Sequence, residues 1–542
     1  MTRSWDRVAD VVVLGSGAAG LSAALSAKDA GADVLLLERS DKFGGATAVS
    51  GGIIWVPNHD HMHEVGASDN PRLAMQYLKS LSLGKLDEEL AQVYVNESPT
   101  VLRFLEQETP LKLRAVKVPD YHPEFPGGTY GRGVTQPLFS ILELGELRSA
   151  LRLSPYFPVP VSMTDIDDGV NILDPEIMAD RISKGMVGAG AALVAALLKG
   201  AADMQIAMER NVRARRLVIE DGVVVGLEAE QEEKPIRIGA RRGVIICTGG
   251  FEWNDQLVRD LVRGPIDGPL SPPCNEGDGL LMALDVGAAI ANTAEAWWMP
   301  MLRIPGEESE GRQLNRFVMS ERVYPGSIMV NRKGRRFVNE AHNYADIGRT
   351  MHDFDPVEFT YANLPAWAIF DRRHLDSYPV ATHFPGDPVP KWIHSGSTLA
   401  DLAEEIGVDA SGLEQTVARF NENAAEGLDP DFHRGESAYD LYYGDPQREG
   451  PFRTLGPINQ PPFYACRIYS GALGTKGGAK TNGKAEVLSA ARGGRIPGLY
   501  AAGNASASFT GMSYPGGGAT IGPALTFGHI AGREAATGTN RF

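Results

Sequence analysis

Between residues 9 and 38 the chain carries a glycine spacing that few local structures satisfy. A short apolar run (9–14) leads into Gly15-Ser16-Gly17-Ala18-Ala19-Gly20. A small-residue segment (18–30) closed by Gly31 follows, and a second apolar run (33–37) ends on Glu38. The valine-rich run reads as a buried parallel strand and the small-residue segment as a helix, which makes a βαβ unit. In such a unit the first glycine permits the turn, the second admits a pyrophosphate, and the third lets helix and strand pack closely. The phosphates then sit at the positive end of the helix. Glu38 is spaced to accept hydrogen bonds from ribose hydroxyls. The plain alternative is a glycine turn with an incidental acid, but it leaves the strand–turn–helix–strand context unexplained.

With 542 residues the chain is too long for one core. Its glycine count of 62 is high, and the glycines come as doublets near the two ends. Gly44, Gly45, Gly51 and Gly52 frame Thr47 and Ser50. Residues 70–108 read as helical, 119–133 as loop and 185–208 as a small-residue helix. Residues 215–219 and 223–228 read as a hairpin about Asp221-Gly222. A strand at 243–247 runs into Thr248-Gly249-Gly250, and Gly277-Asp278-Gly279 follows. Near the C-terminus, Gly498-Leu499-Tyr500-Ala501-Ala502-Gly503-Asn504 is another strand with a glycine turn, and residues 516–522 open a last helix. Most of the histidines, and no dinucleotide pattern, fall between 291 and 454. The expected organisation is a cofactor domain split in sequence (1–290 and 455–542) with a substrate domain inserted at 291–454.

A net charge of -16 opposes binding to nucleic acid. Cys247, Cys274 and Cys466 form no disulfide, iron–sulfur or haem pattern, and His342, His352 and His374 have no metal-ligand spacing, so no metal is expected. No secretory signal and no ~18-residue apolar span is evident, and the expected location is cytoplasmic.

The glycine segments at 15–20, 44–52, 248–250 and 503–504 together resemble those of the flavoprotein superfamily of fumarate reductases and 3-ketosteroid dehydrogenases. The resemblance covers nearly the whole chain, most firmly 8–58, 243–280, 325–344 and 496–533. It implies FAD as cofactor and an α/β fold: a Rossmann-like FAD-binding domain, split in sequence, with an inserted α+β substrate domain. Carried onto this sequence, the cofactor-binding set is Gly15, Gly17, Ala18, Ala19, Gly20, Glu38, Arg39, Gly44, Gly45, Ala46, Thr47, Ser50, Gly51, Gly52, Val212, Thr248, Gly249, Gly250, Asp278, Gly503, Asn504, Gly518, Ala519, Thr520 and Ile521.

Fumarate reductases of this superfamily carry a T-G-G-x-H-G-x-N-R pattern that supplies a histidine and an arginine to a dicarboxylate. Here the stretch beginning at Thr510 has Tyr514 in place of the histidine and glycine in place of the arginine, so a bidentate clamp is missing. Instead, Ser513-Tyr514-Pro515-Gly516-Gly517-Gly518-Ala519-Thr520-Ile521-Gly522-Pro523 resembles the Y-P-G-P-G-A-T-I-G-P segment of 3-ketosteroid Δ1-dehydrogenases, with Gly517 replacing a proline. That resemblance implies that the Tyr514 hydroxyl and the Gly518 N–H hold a ketone oxygen, where enolate charge develops. Asp120-Tyr121-His122-Pro123-Glu124 is similar to a family segment whose tyrosine assists the base. Tyr324, ahead of Asn331-Arg332-Lys333-Gly334-Arg335-Arg336-Phe337-Val338-Asn339-Glu340, is expected to be that base. A free phenol, with a pKa of about 10, needs such a neighbour to act at neutral pH. Trp297, Trp298, Met299 and Met301 would wall a flat substrate or simply fill the core.

The implied reaction is α,β-desaturation of a small apolar cyclic ketone, foremost a 3-ketosteroid, with a quinone or other external electron acceptor. Two rival readings stand beside it. One is an enone or fumarate-type reductase using Arg316, Arg322 or Arg349, and the other a non-catalytic flavin subunit.

Overall fold

The computed structural model describes residues 4–170, 174–491 and 493–539. Its central sheet orders the strands Glu486–Leu488, Arg495–Ala501, Lys234–Ile246, Arg7–Leu14, Val34–Leu37 and Ala207–Glu209. The pairings from Arg495–Ala501 through Ala207–Glu209 are all parallel. Parallel strands must be covered on both faces, which is why Val11 to Leu14 and Val244 to Ile246 are all buried. The predicted hairpin appears as Val212–Glu220 and Val223–Gln231, with Asp221 and Gly222 both at positive φ. Two successive left-handed residues are what a two-residue hairpin turn requires.

The helix Ala18–Asp29 packs against the last long helix, Ile521–Ala536. A Cβ at Gly528 or Gly532 would lie 2.3 Å from the carbonyl oxygen of Ala19 or Ala23. The small-residue composition of both helices therefore lets their backbones touch. This contact joins residues about 500 positions apart and places the C-terminal glycine loop beside the N-terminal one.

A second, largely antiparallel sheet has the order Arg312–Phe317, Ala296–Ser309, Phe463–Thr475, Ala366–Asp371 and Ser327–Asn331. The helices Leu399–Ile406 and Ala410–Ala424 cover part of it through Leu402, Ala403, Leu413, Val417 and Phe420. Phe463–Thr475 lies in the middle of this sheet, and the chain rejoins the first sheet at Glu486–Leu488. Among the described residues no helix is long and apolar enough to cross a membrane.

Candidate active site

A cavity of about 470 Å³ begins at the Gly15 turn, runs between the two sheets and ends among tyrosines. At its first end Gly15 has φ +100°, and a Cβ there would meet the Cys247 carbonyl oxygen at 2.4 Å. At Gly20 the clash would be 1.8 Å, with the Gly15 carbonyl oxygen. The turn thus admits glycine alone, and it leaves the first N–H groups of the helix beside the cavity. Thr47 locks it from the side by accepting the Ala18 N–H at 3.0 Å. Glu38 accepts from Ser16 Oγ at 2.6 Å and from the Ser40 N–H at 3.0 Å, so it braces the loop while facing the cavity. Arg39 is committed to Glu276 at 2.8 Å and Asp278 at 3.0 Å, a pair that Arg213 shares.

Most of the predicted cofactor residues line this cavity, and four do not. Gly20 packs on the Gly15 backbone. Gly44 caps the short helix Gly45–Val49, where a Cβ would strike Ala48 and Val194. Gly250 turns behind the wall against Thr475 and Glu252, and Ala519 faces a small void next to the cavity. These four shape the backbone and do not border the space.

The residues fit an extended dinucleotide. Glycine backbone and a helix N-terminus stand where a pyrophosphate needs donors, with an acid one strand away. Among the described residues the buried Thr248 hydroxyl on the cavity wall has no hydrogen-bond partner, an open polar group of the kind a bound ligand satisfies.

At the other end Tyr121, Tyr344 and Tyr514 meet. Ring centroids are 5.0 Å apart for Tyr121–Tyr514, 5.3 Å for Tyr121–Tyr344 and 5.9 Å for Tyr344–Tyr514. Trp297 packs on Tyr514 at 4.6 Å. Burial raises the pKa of all three phenols. In Tyr514 the hydroxyls of Tyr344, Thr520 and Tyr121 and the Gly518 N–H work against that rise. Of the hydroxyls beside Tyr344, that of Tyr121 favours its phenolate and that of Tyr514 opposes it.

Tyr324, the base expected from sequence, also lies on the cavity wall, but apart from this group. Its ring packs on Tyr378 at 4.6 Å, and Tyr378 donates to Asp445 at 2.7 Å. Burial and the charges of Asp445 and Glu321 make the Tyr324 phenol less acidic. The fold brings Tyr344 to Tyr121 and Tyr514 instead. Sequence reasoning passed over Tyr344 although it stands four residues after Glu340, just beyond a stretch already singled out.

Buried polar networks hold these tyrosines. The Tyr121 N–H donates to the Pro515 carbonyl at 3.0 Å, and the Tyr77 hydroxyl donates to the same oxygen at 2.6 Å. Asp120 accepts from Trp55 Nε1 at 2.8 Å and from Arg132 at 2.6 Å. The Trp55 N–H donates to the Gly518 carbonyl at 3.2 Å. A Cβ at Gly518 would stand 2.3 Å from the Ile53 carbonyl oxygen, and its φ is +95°, so glycine is needed here too. Sequence spacing gave no metal-ligand set, yet the fold gathers His122, His342 and Asp346, with one donor atom each, within 4.8 Å. His122 contacts Asp346 at 2.8 Å and Glu124 at 3.0 Å, which fastens the segment after Tyr121 to the helix that begins at Tyr344.

The three arginines of the reductase reading are all engaged. Arg316 pairs with Glu307 at 2.7 Å and Arg349 with Glu295 at 3.2 Å. Arg322 is buried and donates to the carbonyls of Val318, Glu340 and His342. The charged residues that line the cavity are Glu38, Arg39 and Asp278, all on the nucleotide side. Tyr156, Phe157, Met163, Leu270, Phe317 and Met319 line the rest among others.

Residues 10–521 match the FAD binding domain family. The chain is 41% identical over 538 residues to the 4-oxocyclohexanecarboxylate 2-dehydrogenase of Sinomonas cyclohexanicum, covering 97% of this chain and 92% of that protein. It is 38% identical over 561 residues to the 3-oxosteroid 1-dehydrogenase of Mycobacterium tuberculosis, covering 96% of this chain and 97% of the relative. The crystal structure of the 3-ketosteroid Δ1-dehydrogenase from Sterolibacterium denitrificans, in complex with 1,4-androstadiene-3,17-dione, superposes with a TM-score of 0.89 at 34% identity. That alignment covers 98% of this chain and 99% of the other.

Proposed function

The chain belongs to the FAD binding domain family, on the branch that holds these ring-ketone dehydrogenases, and from that premise we propose that it desaturates a neutral, apolar cyclic ketone, foremost a 3-ketosteroid, beside the carbonyl. The observation that carries the reading is the group Tyr121–Tyr344–Tyr514, set against Gly518 at the apolar end of the cavity.

The Tyr514 hydroxyl and the Gly518 N–H hold the ketone oxygen and stabilise the enolate charge that develops there. Tyr344 Oη, held as the phenolate by a hydrogen bond from Tyr121 Oη, takes the proton from the carbon next to the carbonyl and becomes a neutral phenol. Bound FAD supplies the two-electron acceptor for the hydride from the adjacent carbon. Gly15, Gly17, Thr47, Glu38 and Thr248 would hold that cofactor. The aromatic and methionine wall excludes water from the carbonyl, which strengthens each of these hydrogen bonds. A quinone or other external acceptor then reoxidises the protein.

The lining favours a neutral ketone over a ring carboxylate, since the charged residues on the cavity wall are all at the nucleotide end. A carboxylate on the ring would need a cation beside the tyrosines, and Arg316, Arg322 and Arg349 are all engaged elsewhere. Anaerobic mixing with 4-androstene-3,17-dione and, separately, with 4-oxocyclohexanecarboxylate tests this. Fast bleaching of the flavin absorption by the steroid is expected. Bleaching by the keto acid alone overturns the substrate, and bleaching by neither overturns the reaction.

A further inference from the structure

Lys476 is 1% exposed, a burial that an ammonium group tolerates only at a high desolvation cost. Among the described residues no carboxylate forms an ion pair with it. Its Nζ donates instead to the Ser513 carbonyl at 2.5 Å and to Thr510 Oγ1 at 3.2 Å, and it lies 4.0 Å from the centre of the Trp297 ring. Thr510 and Ser513 are already tied together, because Thr510 Oγ1 donates to the Ser513 carbonyl and Ser513 Oγ to the Thr510 carbonyl, each at 2.9 Å. That turn would close without a lysine. A neutral donor would also complete it at far lower desolvation cost, so the charge itself calls for an explanation.

Every contact of the Lys476 ammonium leads to Tyr514. Ser513 is its chain neighbour, and the Ser513 carbonyl belongs to the peptide that carries Tyr514. Trp297 packs on the Tyr514 ring and donates from Nε1 to Asn504 at 3.1 Å. Lys476 also borders a small void of about 30 Å³ whose wall shares Trp297, Asn504 and Thr520 with the main cavity. The ammonium thus lies one side chain behind the site where oxyanion charge develops, in a region of low dielectric where a cation acts at a distance.

Resting on the desaturase reading above, we infer that Lys476 is a positioning residue for that reaction: its buried positive charge fixes the Ser513–Tyr514 peptide and strengthens the hold of Tyr514 on the ketone oxygen. The groups whose charges act on it are Glu295 and Asp346, which favour the ammonium, and Arg349, which opposes it. Burial, the largest influence, pushes it down to about 7. The charge is therefore present below neutrality and lost as pH rises, and with it the help to Tyr514.

The test compares the wild-type holoenzyme with Lys476→Met and Lys476→Arg. The first readout is the carbonyl stretch of bound 1,4-androstadiene-3,17-dione, which reports polarisation without turnover. The second is the pH profile of kcat on a 3-ketosteroid. Lys476→Met is expected to keep its FAD, weaken the carbonyl shift and lower kcat by about tenfold, a fraction of the loss on removing a direct oxyanion donor. The wild type should lose kcat above neutrality, and Lys476→Arg, whose charge persists at all these pH values, should not. A wild-type carbonyl shift and pH profile in Lys476→Met overturn the inference while leaving the desaturase reading intact. If the wild type neither binds the dienone nor oxidises a ketosteroid, reading and inference fall together. Should Lys476→Met fail to fold, the Lys476→Arg pH profile decides alone.

Discussion

The two ends of the cavity are built in opposite ways. The nucleotide end is a backbone surface, with glycines at 15, 17 and 45 and a helix N-terminus, all from one short stretch of chain. The ketone end is made of side chains, and Tyr121, Trp297, Tyr344 and Tyr514 reach it from four distant segments. A backbone site tolerates no added atoms, whereas a side-chain site tolerates changes in its surroundings but not the loss of a hydroxyl. Substitutions at the two ends should therefore fail differently.

The largest effect is expected at the backbone end. Gly20→Val pushes a side chain into the Gly15 carbonyl, 1.8 Å from where its Cβ would stand. Purified protein should carry no flavin absorption, and a yellow Gly20→Val protein would break the comparison. Next, Tyr344→Phe should keep its FAD yet lose about 10²–10⁴ in kcat, the usual worth of a positioned proton acceptor. Retention of wild-type flavin bleaching by a ketosteroid would remove Tyr344 from the mechanism. Tyr514→Phe should lower kcat by about 10²–10³, as removal of an oxyanion donor does, with flavin content unchanged. A smaller loss, about tenfold, is expected for Asp120→Asn. That change weakens the Arg132 and Trp55 contacts behind Tyr121 without touching the cavity, and a steady-state assay at saturating substrate measures it. Tyr324→Phe should change kcat least, and a collapse comparable with that of Tyr344→Phe would return the base role to Tyr324.

How much could be read in advance follows the same division. The strand, turn, helix and acid at 9–38 were legible because the positive φ of Gly15, the approach of Gly20 to the Gly15 carbonyl and the contacts of Glu38 with Ser16 and Ser40 are decided within thirty residues. The hairpin at Asp221-Gly222 was legible for the same reason. Tyr514 and Gly518 were legible through their own dense motif, with Gly518 forced by backbone approach to Ile53. Tyr344 was not, because nothing local distinguishes it from Tyr324: both are tyrosines close to the same stretch, and only the packing of its helix against Tyr121 selects it. The His122–His342–Asp346 cluster was hidden likewise, since its members come together only across that same contact.

By itself the sequence determined the dinucleotide turn, because a glycine turn is set largely by local φ angles, and read together with the glycine segments at 44–52, 248–250 and 503–504 it implied FAD. It also singled out the C-terminal loop that we propose holds the ketone oxygen. Tertiary structure alone decided which phenol stands beside that loop, that Arg316, Arg322 and Arg349 are engaged elsewhere, and that a lysine charge lies buried behind Tyr514. Those are distances between residues far apart in the chain, and two long helices of small residues, 18–29 and 521–536, bring the C-terminal loop and the N-terminal turn to one place.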